Sequence, residues 1–213
     1  MHKNLIYKNI DLGNFTTIKV GGVGEYFAEP DDVNQFTDLI KWSRFSNQKC
    51  QIIGAGSNLL INNIFLKGLT ICTKKMRSIK LQSISGIIEV DAGVMLPTLS
   101  NLLAKNGLQG GEWAIGIPGT IGGAIFMNAG SGNFSLANNL ISVKVIDMKS
   151  LEIFELKKKD IAFKYRFSPF QHNNLLIISA KLYFKPNGDI VKLKETTKNN
   201  LKLKTEKQPY HLP

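Results

Sequence analysis

The sequence predicts a globular fold that mixes helices and strands, and three observations support this prediction. Hydrophobic residues make up 43% of the 213 residues and charged residues only 20%, which is enough apolar material for a sizeable core. Short apolar runs typical of strands alternate with segments of helical periodicity. No repeat, long linker or low-complexity tract interrupts this alternation. We therefore expect an α/β protein, either as one domain of two lobes or as two small domains.

Local signals place the elements of the first half. Acidic residues at Asp31 and Asp32 mark a helix start, and apolar residues at helical spacing continue to about Phe45. A second amphipathic helix is expected at 96–105, where Gly107 ends it. The strands of this half are expected at 19–20, 25–28, 50–53, 69–73, 79–84 and 87–91.

The second half combines a dense glycine region with further strands and a terminal helix. Nine of the 19 glycines lie in the 26 residues from Gly107 to Gly132. A Lys-rich amphipathic helix followed by a short tail is expected within 189–213. The strands of this half are expected at 141–147, 152–156 and 176–184.

Charge, cysteine and histidine usage narrow the class of function. Basic residues outnumber acidic ones by 27 to 16, mostly within residues 142–213, which indicates an anionic ligand, a polyanion or a Lys-rich solvated surface. Only three residues are arginine and no basic stripe carries interleaved aromatics, so we expect no nucleic-acid binding. The two cysteines and three histidines have no ligand spacing, so no metal site is expected. No secretory signal or membrane span is recognisable, and a cytoplasmic location is expected.

A glycine-rich loop at 54–60 follows the strand predicted at 50–53. Glycines adopt positive φ, so the backbone N–H groups of such a loop can converge on a phosphate or pyrophosphate. The loop is not a Rossmann fingerprint, because Leu59 stands at the third glycine position, and no Walker sequence follows it. A tight strand-to-helix turn explains its glycines about as well.

A second glycine-rich stretch occupies 116–130, with four glycines in the eight positions 116–123. Each glycine costs about 0.5–1 kcal/mol of backbone entropy in a regular element. Their retention indicates that something flat or anionic lies against this backbone. The alternative interpretation is a close-packed, glycine-rich helix interface.

Four motifs together resemble a known family. GAGSNLL at 54–60, GIPGTIGGA at 116–124, MNAG at 127–130 and YRFSPF at 165–170 closely resemble the UDP-N-acetylenolpyruvoylglucosamine reductases (MurB, or UDP-N-acetylmuramate dehydrogenases). The likeness runs from about Asn14 to Pro186, with the motifs in the family's order. It implies an α+β, two-lobed FAD-binding domain of the vanillyl-alcohol-oxidase (PCMH) type. The lobes would be 14–75 and 76–187, followed by a C-terminal helix and tail at 188–213.

The resemblance also implies a reaction. NADPH would reduce FAD, which would then reduce UDP-N-acetylglucosamine enolpyruvate to UDP-N-acetylmuramate, a peptidoglycan precursor needed for cell wall, cell shape and cell division. The family carries its proton-donating Ser and a Glu in a third, substrate-binding domain, and neither has a matching position before Pro213. We therefore expect either a shortened reductase without full activity or an incomplete record of a longer protein. An FAD-binding module, or an oxidoreductase of the same fold with another substrate, is the alternative.

The resemblance assigns catalysis to Arg166, with Tyr165 beside it. Reduction of an enolpyruvyl ether builds negative charge on a carbon conjugated with a carboxylate, and a fixed guanidinium stabilises that charge in a water-poor site. The alternatives are a surface ion pair for Arg166 and simple packing for Tyr165. The first glycine loop would hold the pyrophosphate, and the second would line the dinucleotide up to the flavin. The implied FAD-binding residues are Ile53, Gly54, Ala55, Gly56, Ser57, Asn58, Leu59, Gly116, Ile117, Pro118, Gly119, Thr120, Gly122, Gly123, Asn128, Ala129, Gly130 and Ile178.

Overall fold

The computed structural model describes residues 5–62 and 64–207, and its longer strands form two sheets. The first sheet has the strand order β1-β2-β4-β3. In this sheet β1 runs antiparallel to β2, whereas β4 runs parallel to both β2 and β3. Its strands are β1 (Ile6–Asp11), β2 (Val23–Ala28), β3 (Cys50–Ile53) and β4 (Phe65–Cys72).

Helix α1 (Val33–Phe45) covers the first sheet and begins where the acidic signal predicts. The carboxylate of Asp32 caps it by accepting a hydrogen bond of 2.8 Å from the backbone N–H of Gln35. Its buried residues include Phe36, which belongs to a hydrophobic cluster shared with Ile146 and Ile178 of the second sheet. This cluster therefore joins the two halves of the chain.

The second sheet is antiparallel throughout and has the strand order β10-β9-β11-β6-β5. A separate short hairpin, β7 and β8, lies apart from it. The strands of this half are β5 (Ile79–Gln82), β6 (Ile87–Asp91), β7 (Gly130–Ser131), β8 (Phe134–Ser135), β9 (Leu140–Asp147), β10 (Ile153–Lys157) and β11 (Leu175–Tyr183).

Further α-helices accompany the second sheet: α2 (Leu96–Lys105), α3 (Ile121–Phe126), α4 (Leu136–Asn139) and α5 (Ile190–Lys207). The apolar face of α2, with Leu99 and Leu103, is buried in the largest core cluster, which also contains residues of β6, β9 and β11. Helix α5 packs against α2 and buries Leu193 and Thr197. No helix in the described ranges is long and apolar enough to cross a membrane.

Most predicted elements are confirmed, and the exceptions have local causes. Residues 19–20 form no strand, because Lys19 has φ 56° and lies in a loop. The strand predicted at 79–84 ends at Gln82, since Ile84 lies in a turn and is 97% exposed. Strand β1 was not predicted. The second sheet is antiparallel throughout, so the fold is of the α+β class that the motifs imply and not of the α/β class expected from the alternation of helices and strands. The lobe boundaries at 75 and 187 stay predictions, and residues 208–213 of the predicted tail lie outside the described residues.

Candidate functional site

The first glycine loop turns two of its carbonyl groups toward the protein. The oxygen of Gly54 accepts a 3.6 Å hydrogen bond from the Cys72 thiol, and that of Gly56 accepts a 3.3 Å bond from the N–H of Thr17. In a trans peptide the C=O and the following N–H point in opposite directions. The N–H groups of the next residues, Ala55 and Ser57, therefore point away from the Cys72 thiol and the Thr17 N–H. Within residues 5–62 and 64–207 these two N–H groups donate no hydrogen bond. Such free N–H groups form a concavity that suits an anion.

The conformation of this loop requires glycine at position 56. Gly56 has φ +69°, in the left-handed region that other residues avoid. A Cβ built on it would lie 2.0 Å from the carbonyl oxygen of Phe15, so the segment before β2 closes directly over the loop. A substitution here would displace either the loop or that segment.

The two glycine loops touch each other. The hydroxyl of Ser57 donates a 2.7 Å hydrogen bond to the carbonyl of Pro118, and a Cβ on Gly54 would lie 2.4 Å from Oγ1 of Thr120. Because the Pro118 carbonyl is held on this side, the N–H of Gly119 points to the other side. In the described part of the chain that N–H donates no hydrogen bond either. Each loop thus has a backbone N–H group without an acceptor among the described residues, close to the contact that joins the two loops.

Close packing explains one glycine of the second stretch. The N–H of Gly122 donates a 2.8 Å hydrogen bond to the carbonyl of Ala92, and a Cβ on Gly122 would lie 3.0 Å from the Ala92 methyl group. Thr120 caps the same helix, α3, by accepting a 3.3 Å hydrogen bond from the N–H of Gly123. The helix-interface interpretation therefore applies to Gly122, and Gly119 instead serves the loop that precedes the helix.

A cavity of about 1030 Å³ lies beside the second glycine stretch. The short hairpin β7–β8, the tip of the turn at 165–166 and the last turns of α5 form its other walls. The lining residues that the sequence predicted are Gly116, Ile117, Pro118, Asn128, Gly130, Tyr165 and Arg166. The others are Trp113, Ser131, Gly132, Asn133, Phe134, Ser135, Asn200, Leu203, Lys204 and Lys207.

The cavity carries positive charge. Arg166, Lys204 and Lys207 line it, and none of the described residues around it is acidic. The Nζ atom of Lys204 donates a 3.2 Å hydrogen bond to the carbonyl of Trp113, and partial burial lowers the pKa of this lysine. Arg166 forms no ion pair with a described carboxylate, so its interpretation as a surface ion pair is not supported. The cavity therefore suits an anionic ligand.

A tight backbone turn presents Arg166. Lys164 and Phe167 exchange two backbone hydrogen bonds of 3.1 Å, which leaves Tyr165 and Arg166 at the tip. Arg166 adopts φ 53°, and its guanidinium lies 5.7 Å from the centroid of the Tyr165 ring, within reach of a cation–π contact. Tyr165 is 90% exposed, so it does not pack in the core.

Asn128 lines the cavity and carries a buried acceptor without a partner among the described residues. Its Nδ2 donates a 2.9 Å hydrogen bond to the carbonyl of Lys164, which ties the Arg166 turn to the end of α3. Its Oδ1 is buried and has no hydrogen-bond partner among the described residues. A buried acceptor without a partner costs free energy, and an N–H group of a bound ligand would remove that cost.

Several residues predicted to bind the cofactor lie away from the cavity. Ile178 is fully buried in the cluster between the sheets, and its carbonyl accepts a 2.8 Å hydrogen bond from Ala92. Ile53 and Ala129 are also buried. The predicted residues that do not line the cavity are Ile53, Gly54, Ala55, Gly56, Ser57, Asn58, Leu59, Gly119, Thr120, Gly122, Gly123, Ala129 and Ile178. Several of them belong to the two glycine loops, and the roles of all these residues stay predictions.

Sequence reasoning missed the contribution of α5. Asn200 donates a 3.1 Å hydrogen bond to the carbonyl of Glu112, and Lys204, one helical turn later, bonds to the next carbonyl, that of Trp113. The stem of Lys204 packs so closely on Gly116 that a Cβ there would lie 2.3 Å from it. Two signals were available in the sequence: the i, i+4 spacing of Asn200 and Lys204, and the excess of basic residues within 142–213.

Comparison with known proteins relates the chain to one family. Residues 24–155 match the family model described as an FAD binding domain. The chain is 69% identical over 212 residues to the UDP-N-acetylenolpyruvoylglucosamine reductase of Prochlorococcus marinus subsp. pastoris, covering 99% of this chain and 72% of that protein. It is 42% identical over 206 residues to the protein of the same name from Synechococcus sp. (strain RCC307), covering 97% of this chain and 68% of the other.

Two solved structures share the fold. The UDP-N-acetylenolpyruvylglucosamine reductase of Thermus caldophilus superposes with a TM-score of 0.76 at 24% identity, covering 94% of this chain and 69% of that one. A wild-type Phl p 4 glucose dehydrogenase superposes with a TM-score of 0.63 at 14% identity, covering 87% of this chain and 42% of that one.

The fold and the family match define an FAD-binding protein, and the α+β class of two lobes that the motifs implied is confirmed. Within this class, the chain belongs to the UDP-N-acetylenolpyruvoylglucosamine reductase family. The suspected family is thereby confirmed, and the chain spans 72% of the length of the relative it matches at 69% identity.

Proposed function

We propose that the chain is an FAD-dependent, NADPH-using reductase that converts UDP-N-acetylglucosamine enolpyruvate to UDP-N-acetylmuramate for peptidoglycan synthesis. The observation that carries this proposal is the guanidinium of Arg166 in a cationic cavity beside the second glycine stretch, in a chain of this family. The relatives' name supplies the substrate class. Because all these reactants are water-soluble nucleotides, we propose a cytoplasmic location.

The residues present fit FAD. The N–H groups of Ala55, Ser57 and Gly119 point away from anchored carbonyls and would hold the diphosphate. Asn128 and Pro118 line the same cavity, and the unpaired Oδ1 of Asn128 would accept a hydrogen bond from the flavin ring. When bound, FAD supplies the hydride chemistry that amino-acid side chains lack.

Arg166 would stabilise the charge that develops on the substrate. Hydride addition to the enolpyruvyl double bond places negative charge on the carbon next to the carboxylate, and a proton from water then completes the saturated product. Hydrogen bonds hold the backbone of Arg166 at the tip of a turn, so only its side chain has to move to meet this charge. Lys204 and Lys207 would attract the phosphates of the nucleotide sugar. Loss of such a group typically costs about 3 kcal/mol of the barrier, or roughly 100-fold to 1000-fold in rate.

Anaerobic flavin spectroscopy tests the proposal. The FAD-loaded chain is mixed with NADPH, and the visible flavin absorbance should bleach. Addition of UDP-N-acetylglucosamine enolpyruvate should then restore the absorbance and give a product that mass spectrometry finds heavier by two hydrogen atoms. Bleaching without recovery on addition of substrate would contradict turnover by these 213 residues, and it would match a shortened reductase without full activity or an FAD module with another substrate.

A matched pair of arginine variants tests whether Arg166 acts in the reduction of the substrate rather than in the reduction of the flavin. Arg166→Lys should slow the recovery of absorbance by about 100-fold or more while leaving the bleaching by NADPH unchanged. Arg77→Lys is the control, because Arg77 is exposed, donates a 2.6 Å hydrogen bond to the carbonyl of Lys74 and does not line the cavity. Equal rates for Arg166→Lys and the parent chain would remove Arg166 from the reaction.

A further inference from the structure

Two side chains converge on one carbonyl at the end of α3. Ser168 Oγ donates a 2.7 Å hydrogen bond to the carbonyl of Phe126, and Gln171 Nε2 donates a 2.9 Å bond to the same oxygen. Phe126 is the last residue of α3, where carbonyls lack partners within the helix. The segment that follows the Arg166 turn is therefore tied to the end of this helix.

The hydroxyl of Ser168 does not serve as a helix cap. Ser168 precedes the short 3₁₀ helix Pro169–His172, a position where a serine commonly accepts a hydrogen bond from a backbone N–H of the first turn. It makes no such capping bond, and it is fully buried. Its hydroxyl instead bridges two elements that are 42 residues apart in the sequence.

The amide of Gln171 extends this link to Arg166 itself. Gln171 Nε2 also donates a 3.3 Å hydrogen bond to the carbonyl of Arg166, so one amide group joins this residue to Phe126. The left-handed backbone of Arg166 is unfavourable for a residue other than glycine, and it persists only where neighbouring groups hold it. Asn128 holds the opposite side of the turn through the carbonyl of Lys164.

We propose that Ser168 and Gln171 are positioning residues that set the place of Arg166 relative to α3. Thr120 of the second glycine loop caps the start of α3, and Phe126 is its last residue. The Phe126 carbonyl that Ser168 and Gln171 bind is therefore connected to that loop by one short helix. Their action is to fix the distance between the guanidinium and the wall where the flavin would lie. This inference rests on the proposed function for the role of Arg166.

Kinetics of Gln171→Met test the proposal. Methionine has a similar length but no N–H donor, so kcat should fall about tenfold, whereas the KM for NADPH and the FAD dissociation constant should change less than about twofold. Gln51→Met is the matched control, since Gln51 donates to the carbonyl of Lys67 in the first sheet and should tolerate the change. A parallel loss of FAD affinity and kcat would indicate a merely structural role and overturn the proposal.

A double-mutant cycle shows whether Gln171 acts through Arg166. In the Arg166→Lys background, Gln171→Met should lower kcat by less than about twofold, because the group that it positions is already gone. A further tenfold loss in that background would mean that the two residues act independently, and the positioning role would be wrong. Ser168→Ala should behave as Gln171→Met does in both backgrounds.

A spectroscopic measurement gives an answer that does not depend on turnover. The chain has only three arginines, so their guanidinium ¹⁵N–¹H signals are readily assigned by substitution. Gln171→Met should shift or broaden the signal of Arg166 and leave those of Arg44 and Arg77 in place. An unchanged Arg166 signal would overturn the positioning role. If Gln171→Met shifts the Arg166 signal but the parent chain shows no turnover, the positioning role stands and the proposed function is contradicted.

Discussion

The hydroxyl of Ser57 donates a 2.7 Å hydrogen bond to the carbonyl of Pro118 and thereby joins the two glycine loops. Ser57 follows β3 of the first sheet, whereas Pro118 precedes α3 in the second half of the chain. The bond fixes the peptide between Pro118 and Gly119, and so the direction of its N–H. Diphosphate binding across the two halves is therefore expected to depend on this serine.

Replacement of Ser57 by alanine should weaken FAD binding. The lost hydrogen bond contributes about 1 kcal/mol, which corresponds to about a fivefold increase in the dissociation constant. Titration of the apoprotein, followed by flavin fluorescence, measures this change. Ser85→Ala is the control, because the Ser85 hydroxyl is exposed and bonds within its own turn to Gln82. Equal affinities of the two variants would contradict the role of Ser57.

Gly56→Ala should abolish FAD uptake, and Gly132→Ala is its matched control. Both glycines have positive φ, +69° and +61°, but only at Gly56 would a Cβ meet a backbone atom, the oxygen of Phe15 at 2.0 Å. Gly132→Ala should cost only the left-handed strain of about 1–2 kcal/mol. Gly56→Ala should lower the thermal midpoint further and abolish FAD uptake, and its retention of FAD would show that the loop does not hold the cofactor.

Thr197→Val should stabilise the chain. Thr197 is 3% exposed on α5, and its hydroxyl has no hydrogen-bond partner among the described residues. Valine has the same shape and buries no unpaired polar atom, so a gain of about 1 kcal/mol in the free energy of unfolding is expected. Urea denaturation measures it. The control Thr205→Val, whose exposed hydroxyl bonds to Leu201, should change stability by less than about 0.5 kcal/mol, and a similar change in both variants would refute the explanation.

Both thiols should resist alkylation in the native protein. Burial raises the pKa of Cys50 to about 12 and that of Cys72 to about 11, so neither forms appreciable thiolate at pH 8. Iodoacetamide should add to the denatured chain but not to the native one, as mass spectrometry can show. The folded state holds these protons more tightly than the unfolded state, so stability should fall as the pH rises above 9.0 toward these values. Rapid labelling of the native chain at pH 8 would contradict this environment.

Local signals were sufficient where a single residue determines the backbone. Asp32 caps α1, and Gly107, with φ +67°, ends α2, as the sequence predicted. The same reasoning failed at Lys19, because a left-handed backbone at a lysine is set by its surroundings rather than by its side chain. Strand β1 escaped prediction since its burial pattern is mostly exposed, which leaves little alternation of apolar and polar residues.

The motifs predicted the two glycine loops and Arg166, but not the wall that faces them. The Lys-rich sequence of α5 does not reveal which lysines reach the cavity, because that depends on how Leu193 and Thr197 seat the helix on α2. Lys204 could be assigned to the cavity only after that packing was known. Likewise, the contacts of Ser168 with Phe126 join distant segments that no local pattern connects.

The most direct test of the account is the titration of the folded, flavin-free chain with FAD, monitored by visible absorbance and flavin fluorescence. We expect saturable binding of one FAD per chain, weakened in Ser57→Ala and unchanged in Arg166→Lys. A folded chain, verified by circular dichroism, that takes up no FAD would contradict the assignment of the two glycine loops as the diphosphate site.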